Sequence, residues 1–144
     1  MRKVLVLGRA GMLGHIVYET FSNIDEFEVV GCARNAVDAE TGVIDVSDFK
    51  ALELLFERVQ PDIVVNCVGV LIQGSIDSVG NAILLNSYLP HRLVDFGKTF
   101  NYKLIHVSTD CVFSGERGGY RDTDLRDGDT SYARSKTLGE VSDT

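Results

Sequence analysis

The sequence has little proline, little cysteine and a shortage of positive charge, and each shortage excludes a class of protein. Two prolines among 144 residues, with 44% hydrophobic residues, exclude collagen-like, low-complexity and disordered chains. Fourteen basic residues against twenty-one acidic residues leave a net charge of -7, which argues against a general binder of nucleic-acid backbones. What remains is a chain of the usual length for one domain with its own hydrophobic core.

The cysteines and the apolar runs indicate a cytoplasmic protein. The three cysteines, Cys32, Cys67 and Cys111, show no CxxC spacing and lie in apolar surroundings, as buried thiols of a reducing compartment do. The sequence contains no apolar run near the roughly 20 residues that span a bilayer, and the apolar stretch after the N-terminus is too short for a signal peptide. We therefore expect a cytoplasmic protein without a membrane or nucleic-acid partner.

Histidines and clustered acids are the usual signs of a metal site, and here they do not form one. His15, His91 and His106 fall in two predicted helices and one predicted strand, without a shared ligand spacing. The acids of residues 122–129 lack the fixed glycine and the final glutamate of a calcium-binding loop. We predict no metal ion.

Short apolar runs alternate with stretches of helical periodicity along the chain. Strands are predicted at residues 4–7, 27–32, 42–45, 63–65 and 103–107. Helices are predicted from about 12 to 21, from the caps Ser47 and Asp48 to Pro61, from 79 to 100 with a kink or joint at Pro90, and from near Ser131. Strands that alternate with helices predict an α/β fold with a doubly wound parallel sheet.

A glycine-rich stretch, residues 8–14 (GRAGMLG), ends the first predicted strand and opens the first predicted helix. In such a loop the first glycine allows a tight turn, the second lets the backbone approach a pyrophosphate, and the third permits close packing of helix on strand. The helix N-terminus adds free N–H groups for phosphate. An ordinary turn is the alternative, but the position after a buried strand favours dinucleotide binding. The predicted contacts are Gly8, Arg9, Gly11, Met12, Leu13 and Gly14.

The end of the second strand predicts which dinucleotide is bound. An acid at this point binds the free ribose hydroxyl of NAD, whereas an arginine suits the 2′-phosphate of NADP. Residues 32–35 carry Arg34 and no acid, and Arg9 of the glycine loop adds a second positive charge. We therefore expect NADP(H), with NAD(H) as the alternative. Both arginines would otherwise be ordinary solvated side chains.

Tyr132 and Lys136 stand four residues apart on the last predicted helix and share one face. A lysine ammonium beside a phenol favours the phenolate, so the tyrosine can protonate a carbonyl oxygen as hydride arrives. A surface pair is the alternative. The segment 107–110, with Thr109, follows the fifth strand at the end of the sheet where ligands bind, and its hydroxyl groups can hold the same carbonyl oxygen.

Taken together, these motifs resemble the extended short-chain dehydrogenases/reductases. The glycine loop, residues 66–69 (NCVG), 108–113 (STDCVF) and 132–136 (YARSK) follow in that family's order. Residues 108–115, 132–140 and 86–90 (NSYLP) look more narrowly like dTDP-4-dehydrorhamnose reductase-like sugar-nucleotide reductases. The resemblance covers essentially the whole chain, and it implies an NAD(P)-binding Rossmann fold.

The resemblance also implies a role for each matching residue. Tyr132 would donate the proton, Lys136 would hold the nicotinamide ribose and tune Tyr132, and Thr109 would orient the substrate carbonyl. Around the dinucleotide, it implies that Gly8, Gly11 and Gly14 surround the pyrophosphate, Asp45 and Val46 meet the adenine, and Cys67, Val68 and Gly69 flank the cofactor. The implied reaction is reduction of a 4-keto group on a nucleotide-activated deoxysugar. The product would supply deoxysugar units for surface polysaccharide. A homodimer is the implied assembly.

The chain departs from the family pattern at several points. Cys111 replaces the usual tyrosine, residues 66–69 are a looser form of the motif, and residues 122–130 lack the usual prolines. These changes favour a relative that acts on another sugar nucleotide. Family members also continue beyond Thr144. We therefore expect residues 1–144 to be a dinucleotide-binding (Rossmann) domain, truncated before the C-terminal substrate-binding part, and the resemblance does not imply that this domain is active alone.

Two other functions stay open from the sequence. An epimerase or dehydratase of the same family would recycle its cofactor without net oxidation, and Asp110 beside Thr109 keeps this alternative open. A non-catalytic NAD(P)-binding subunit that regulates a partner is the alternative from another class, because a fold does not fix a function. Against the second alternative, Thr109, Tyr132 and Lys136 are all present.

Overall fold

The computed structural model describes residues 1–141 and contains one parallel sheet of five strands. The strands are β1 (Arg2–Leu7), β2 (Phe27–Ala33), β3 (Gly42–Val43), β4 (Ile63–Asn66) and β5 (Lys103–His106). They lie in the order β3-β2-β1-β4-β5, and each neighbouring pair is parallel. The predicted doubly wound parallel sheet is confirmed as a Rossmann-like sheet with flanking helices.

Helices follow β1, β3, β4 and β5 along the chain. They are α1 (Met12–Ser22), α2 (Phe49–Val59), α3 (Ile72–Asp77), α4 (Val79–Ala82), α5 (Leu89–Phe100) and α6 (Ser131–Leu138). A π-helical turn (Ile83–Tyr88) joins α4 to α5, and a 3₁₀ turn spans Asp110–Val112. Asp48 caps α2 by accepting a hydrogen bond from the backbone N–H of Ala51 at 3.0 Å, so its predicted capping role is confirmed.

Residues 79–100 are helical throughout, as predicted, and the predicted joint beside Pro90 is confirmed as a change of helix type. Pro90 has no N–H, so the carbonyl of Asn86 loses its partner four residues on. The structure changes from π-helix to α-helix beside this residue, between Tyr88 and Leu89. The helix α3 is missing from the sequence-based prediction, and the third strand ends at Val43, two residues before its predicted end.

The described chain divides into two compact units. The first unit comprises residues 1–68 and 92–107, and the second comprises residues 69–91 and those from 108 onward. In the first unit, Val4, Leu5, Val6 and Leu7 of β1 are fully buried, which explains the uninterrupted apolar run of this central strand. The ring of Phe56 packs against the aromatic rings of α5 and of the residue before β5.

The strand order reverses at β1, which pairs with β2 on one side and with β4 on the other. In open α/β sheets, ligands bind beyond the carboxyl ends of the strands at such a reversal. Leu7 ends β1 and Asn66 ends β4, and the two residues are in register. The glycine loop and Cys67 therefore begin where a ligand site is expected.

Among the helices of residues 1–141, none is long and apolar enough to cross a membrane.

Candidate functional site

The glycine loop of the first unit forms the tight turn that the sequence predicts. Gly8 has φ of 86°, a left-handed conformation that favours glycine. The backbone N–H groups of Gly8 and Arg9 both donate to the carbonyl oxygen of Cys32, at 2.9 and 3.0 Å. The N–H of Gly11 donates back to the carbonyl of Gly8 at 2.9 Å, and α1 begins at Met12. These bonds fix the loop at the carboxyl ends of β1 and β2.

Side chains at the first and third glycines would collide with neighbouring backbone. A Cβ atom at Gly8 would lie 3.1 Å from backbone atoms of Cys67 and Val68. A Cβ atom at Gly14 would overlap the carbonyl oxygen of Gly8. The loop therefore needs glycine at both positions to pack against β4 and to let α1 start this close to β1.

The first turn of α1 suits a phosphate ligand. Gly11 is its N-cap and offers no side chain to the first N–H groups of the helix. Met12 and Leu13 are 83% and 42% exposed, although both are apolar. Open N–H groups, the positive end of the helix dipole and a glycine at the N-cap are what a dinucleotide pyrophosphate requires. The residues present fit that group.

The two predicted basic residues of the first unit differ in their surroundings. Arg34 is exposed, immediately after β2. Arg9 is 7% exposed, and its guanidinium forms an ion pair with Asp38 in which Nη2 lies 2.6 Å from Oδ2. The sequence gives no sign of this pair, because the two residues are 29 positions apart.

The other predicted dinucleotide contacts of the first unit follow β3 and β4. Asp45 accepts hydrogen bonds from the backbone N–H and the hydroxyl of Ser47, and these bonds hold the pKa of its carboxyl below the usual value. Val46 is buried. Burial raises the pKa of the Cys67 thiol to about 11, so this cysteine is a neutral thiol at physiological pH. The backbone N–H of Val68 donates to the side chain of Asn66 at 3.1 Å.

The predicted catalytic residues lie in the second unit. Tyr132 is half-buried and Lys136 is 6% exposed, four residues apart on α6. Thr130 caps this helix by accepting a hydrogen bond from the N–H of Ala133 at 3.0 Å. Burial lowers the pKa of Lys136, and the nearby Glu140 carboxylate opposes this shift. A buried lysine with a lowered pKa is typical of a functional position.

Thr109 stands directly before the 3₁₀ turn, and α6 packs against that turn. Its hydroxyl oxygen accepts a hydrogen bond from the N–H of Cys111 at 3.2 Å and lies 3.3 Å from a carboxylate oxygen of Asp110. The side chain is half-buried. Gly69, the remaining predicted dinucleotide contact, is an exposed residue of the second unit.

A cavity of about 420 Å³ opens beside Tyr132 in the second unit. Its wall contains Tyr132, Cys111, Phe113 and the backbone around Gly128, together with carboxylates from residues 116, 127 and 129. Cys111 is one of the positions where the sequence departs from the family that it resembles, and it lines the same cavity as Tyr132. This cavity is large enough for part of a small-molecule substrate.

Sequence reasoning missed Asn86, which fixes the position of α6 within the second unit. Asn86 is fully buried in the π-helical turn. Its amide oxygen accepts from the N–H of Val70 at 2.7 Å, and its amide nitrogen donates to the carbonyl of Val70 at 2.9 Å and to the hydroxyl of Ser135 at 3.0 Å. Ser87 adds a bond from its hydroxyl to the carbonyl of Ser135 at 2.7 Å. These bonds attach the helix of Tyr132 to its surroundings one residue before Lys136.

Replacing Asn86 with alanine is expected to lower the free energy of unfolding by about 3 kcal/mol, because polar groups of Val70 and Ser135 lose their partners. Urea denaturation measures the change. Asn81→Ala, at an exposed position of α4, is the control and should change stability by less than about 0.5 kcal/mol. Equal stabilities for the two variants would contradict the anchoring role of Asn86.

Comparison with known proteins gives a family and two kinds of relative. A family model described as the RmlD substrate binding domain matches residues 1–142. Methionine adenosyltransferase 2 subunit beta of Danio rerio is 30% identical over 141 residues, which make up 96% of this chain and 42% of that protein. Spore coat polysaccharide biosynthesis protein SpsK of Bacillus subtilis is 30% identical over 145 residues, with 97% of this chain and 47% of that protein covered. The chain spans less than half the length of these relatives.

Solved structures agree with the fold. A hypothetical dTDP-4-dehydrorhamnose reductase from Sulfolobus tokodaii superposes with a TM-score of 0.86 at 27% identity, over 96% of this chain and 50% of its own. The dTDP-4-dehydrorhamnose reductase of Bacillus anthracis, in complex with NADP, superposes with a TM-score of 0.84 at 21% identity. The match covers 96% of this chain and 48% of that chain. WbmG of Bordetella bronchiseptica, in complex with NAD and UDP, superposes with a TM-score of 0.81 at 22% identity. The match covers 96% of this chain and 47% of that chain. At these lower identities the last two structures support the fold alone.

Proposed function

Because the chain belongs to the RmlD substrate binding domain family, we propose that it supplies the dinucleotide-binding and proton-donating residues of an NADP(H)-dependent sugar-nucleotide reductase. The substrate class is a 4-keto-deoxysugar linked to a nucleoside diphosphate, and the product enters polysaccharide biosynthesis. One observation carries the proposal: Tyr132 lines a cavity of about 420 Å³ and stands one helical turn from the buried Lys136. The chain covers less than half of the length of its relatives, and we propose that most sugar-nucleotide contacts of a whole protein come from the part that corresponds to their remaining length.

In this proposal the glycine loop holds the dinucleotide. The N–H groups at the start of α1 donate to the pyrophosphate, and Gly11 lets the backbone approach it. Gly8 and Gly14 allow the tight turn and the close packing of α1 that place those groups. Asp45 and Val46 border the adenine, and Cys67, Val68 and Gly69 flank the rest of the cofactor. When bound, the reduced nicotinamide supplies the hydride that adds to the substrate carbonyl carbon.

Side chains of this chain donate the proton and stabilise the group that loses it. The Tyr132 hydroxyl donates its proton to the carbonyl oxygen, so the ketone becomes an alcohol and the phenol becomes a phenolate. The Lys136 ammonium stabilises that phenolate and binds the nicotinamide ribose. Burial makes this ammonium effective, because a charge acts more strongly where water is excluded. The Thr109 hydroxyl orients the carbonyl oxygen, and the bond from Cys111 fixes the threonine oxygen.

NADP(H) is the proposed dinucleotide because of the positive charge at the end of β2. Arg34 is exposed immediately after β2, where a 2′-phosphate is recognised in this fold. The positive charge of Arg34 also acts on the Asp45 carboxylate, whose pKa is lowered mainly by the hydrogen bonds from Ser47 and further by Arg34. NAD(H) remains the alternative dinucleotide.

The proposal is tested by measuring NADPH consumption with dTDP-4-dehydrorhamnose and with other 4-keto sugar nucleotides. The assay uses the full-length gene product that carries this chain. A reductase oxidises one NADPH for each ketone reduced. Conversion of the sugar nucleotide without net NADPH oxidation would replace this proposal with an epimerase or dehydratase. Tight NADPH binding without conversion of any such substrate would contradict catalysis.

A non-catalytic dinucleotide-binding subunit is the second candidate function. The observation that favours it is the 30% identity to a protein named as the beta subunit of methionine adenosyltransferase 2. In this candidate function the glycine loop binds the dinucleotide and the protein acts through a partner enzyme. A pull-down with the methionine adenosyltransferase from the same source is the corresponding test, and it supports this function when Tyr132→Phe binds the partner equally well. Homodimerisation and a cytoplasmic location stay predictions.

A further inference from the structure

Arg9 is held in one conformation by contacts on several sides, all within the first unit. Its guanidinium lies over the ring of Tyr18, with the guanidinium carbon 3.5 Å from the ring centroid. Its aliphatic stem crosses Gly31 of β2, where an added Cβ atom would overlap the Cδ atom of Arg9. The side chain is only 7% exposed. Gly31 therefore provides the space for an arginine that is built into the fold and is not a solvated surface residue.

Asp38 occupies the hydrogen-bonding edge of this arginine. Nη1 donates to Oδ1 at 3.0 Å and Nη2 donates to Oδ2 at 2.6 Å, which is the paired geometry that arginine also uses for phosphate. Nη1 also donates to the Thr41 hydroxyl at 3.2 Å. A charge-assisted ion pair of this kind contributes more to stability than an ion pair on the surface, because one partner is buried.

The carboxylate of Asp38 is held ready for Arg9 by its own loop. Its Oδ1 accepts from the backbone N–H of Glu40 at 3.0 Å and from the hydroxyl of Thr41 at 2.8 Å. These bonds, with the Thr41 hydroxyl contributing most, hold the pKa of Asp38 below its usual value. The side chain is still 45% exposed, so a ligand arriving from solvent can reach it.

The pair stands where NAD and NADP are distinguished. Arg9 follows Gly8 in the glycine loop, and its N–H donates to the carbonyl of Cys32 near the end of β2. That strand end is where this fold selects between a ribose 2′-hydroxyl and a 2′-phosphate. An isolated arginine there would favour the phosphate, but the Asp38 carboxylate already neutralises Arg9.

We propose that Asp38 is a specificity-determining residue that competes with the 2′-phosphate of NADP(H) for Arg9 and so keeps NAD(H) acceptable. This inference rests on the proposed dinucleotide site. A dianionic 2′-phosphate must replace the carboxylate to bind Arg9, and it meets the negative charge of Asp38 if it does not. A free 2′-hydroxyl group does not have to displace the carboxylate, and it is not repelled by the negative charge of Asp38. Arg34 alone then supplies the preference for NADP(H) in the unmodified chain.

The test compares binding of 2′,5′-ADP and 5′-AMP, which differ by the 2′-phosphate, to the 144-residue chain by calorimetry. We expect Asp38→Asn to raise the ratio of 2′,5′-ADP affinity to 5′-AMP affinity by about tenfold, because Arg9 is released to a charged partner. Asp38→Ala is the second variant and should raise the same ratio. Asp25→Asn, an exposed acid before the opposite end of β2, is the control and should leave the ratio unchanged.

A double-variant cycle separates this role from a structural one. If Arg9 carries the effect, Asp38→Asn should no longer change the ratio in an Arg9→Met background. An unchanged ratio in both Asp38 variants, with both nucleotides still bound, overturns the inference and leaves the proposed function standing. Binding of neither nucleotide by the unmodified chain overturns the dinucleotide site and this inference together.

Discussion

Replacing Tyr132 with phenylalanine is expected to lower kcat for carbonyl reduction by roughly 10²–10⁴-fold, the usual contribution of a positioned proton donor. The variant keeps the aromatic ring, so the wall of the cavity beside α6 changes by one hydroxyl group. What it loses is the proton that the new alcohol needs, and water must then supply it. The measurement is steady-state NADPH oxidation by the full-length gene product with a 4-keto sugar nucleotide.

The control for this experiment is another tyrosine of the second unit. Tyr88 of the π-helical turn is 48% exposed, and we assign it no part in proton transfer. Tyr88→Phe should retain kcat within about threefold, and both variants should bind NADPH as the unmodified protein does. A Tyr132→Phe variant with unchanged kcat would contradict the assignment of Tyr132 as the proton donor.

Replacing Gly14 with alanine is expected to destabilise the first unit by about 3 kcal/mol or more and to abolish dinucleotide binding. The new Cβ atom would overlap the carbonyl oxygen of Gly8 and lie 3.1 Å from the Cα atom of Arg9. Both neighbours are backbone, so a side-chain rotation cannot relieve the overlap, and the cost is at least that of an overpacked core. Urea denaturation and NADPH titration measure the two effects.

Gly80 of α4 provides the matched control, because a Cβ atom added there meets nothing within 4 Å. Gly80→Ala should leave stability unchanged or raise it by about 0.5–1 kcal/mol, since alanine favours helix and glycine does not. If Gly14→Ala were as stable as Gly80→Ala, α1 would not depend on glycine for its approach to β1.

The sheet could be predicted from the sequence because its strands are short apolar runs with polar or glycine residues between them. Val4 to Leu7 form such a run, and their complete burial in the central strand explains why it is uninterrupted. The start of α2 could also be predicted from the sequence, because Asp48 is a capping residue directly before a helical pattern. Local chemistry decides these features, so a local pattern is enough to find them.

The features that the sequence did not predict depend on contacts between distant residues. Asn86 is a polar residue on a predicted helix, and only the structure reveals that Val70 and Ser135 bond to its amide, 16 and 49 positions away. The sequence predicts a dinucleotide contact for Arg9 but gives no sign that Asp38 and Thr41 accept hydrogen bonds from its guanidinium. The short α3 has only six residues, too few for a helical periodicity to stand out.

The claim that residues 8–14 bind a nicotinamide dinucleotide is tested most directly by titrating the 144-residue chain with NADPH and NADH. Nucleotide fluorescence and calorimetry would report affinity and stoichiometry. We expect saturable binding at one site per chain, with NADPH bound more tightly than NADH because of Arg34. A folded chain that binds neither dinucleotide would contradict the account.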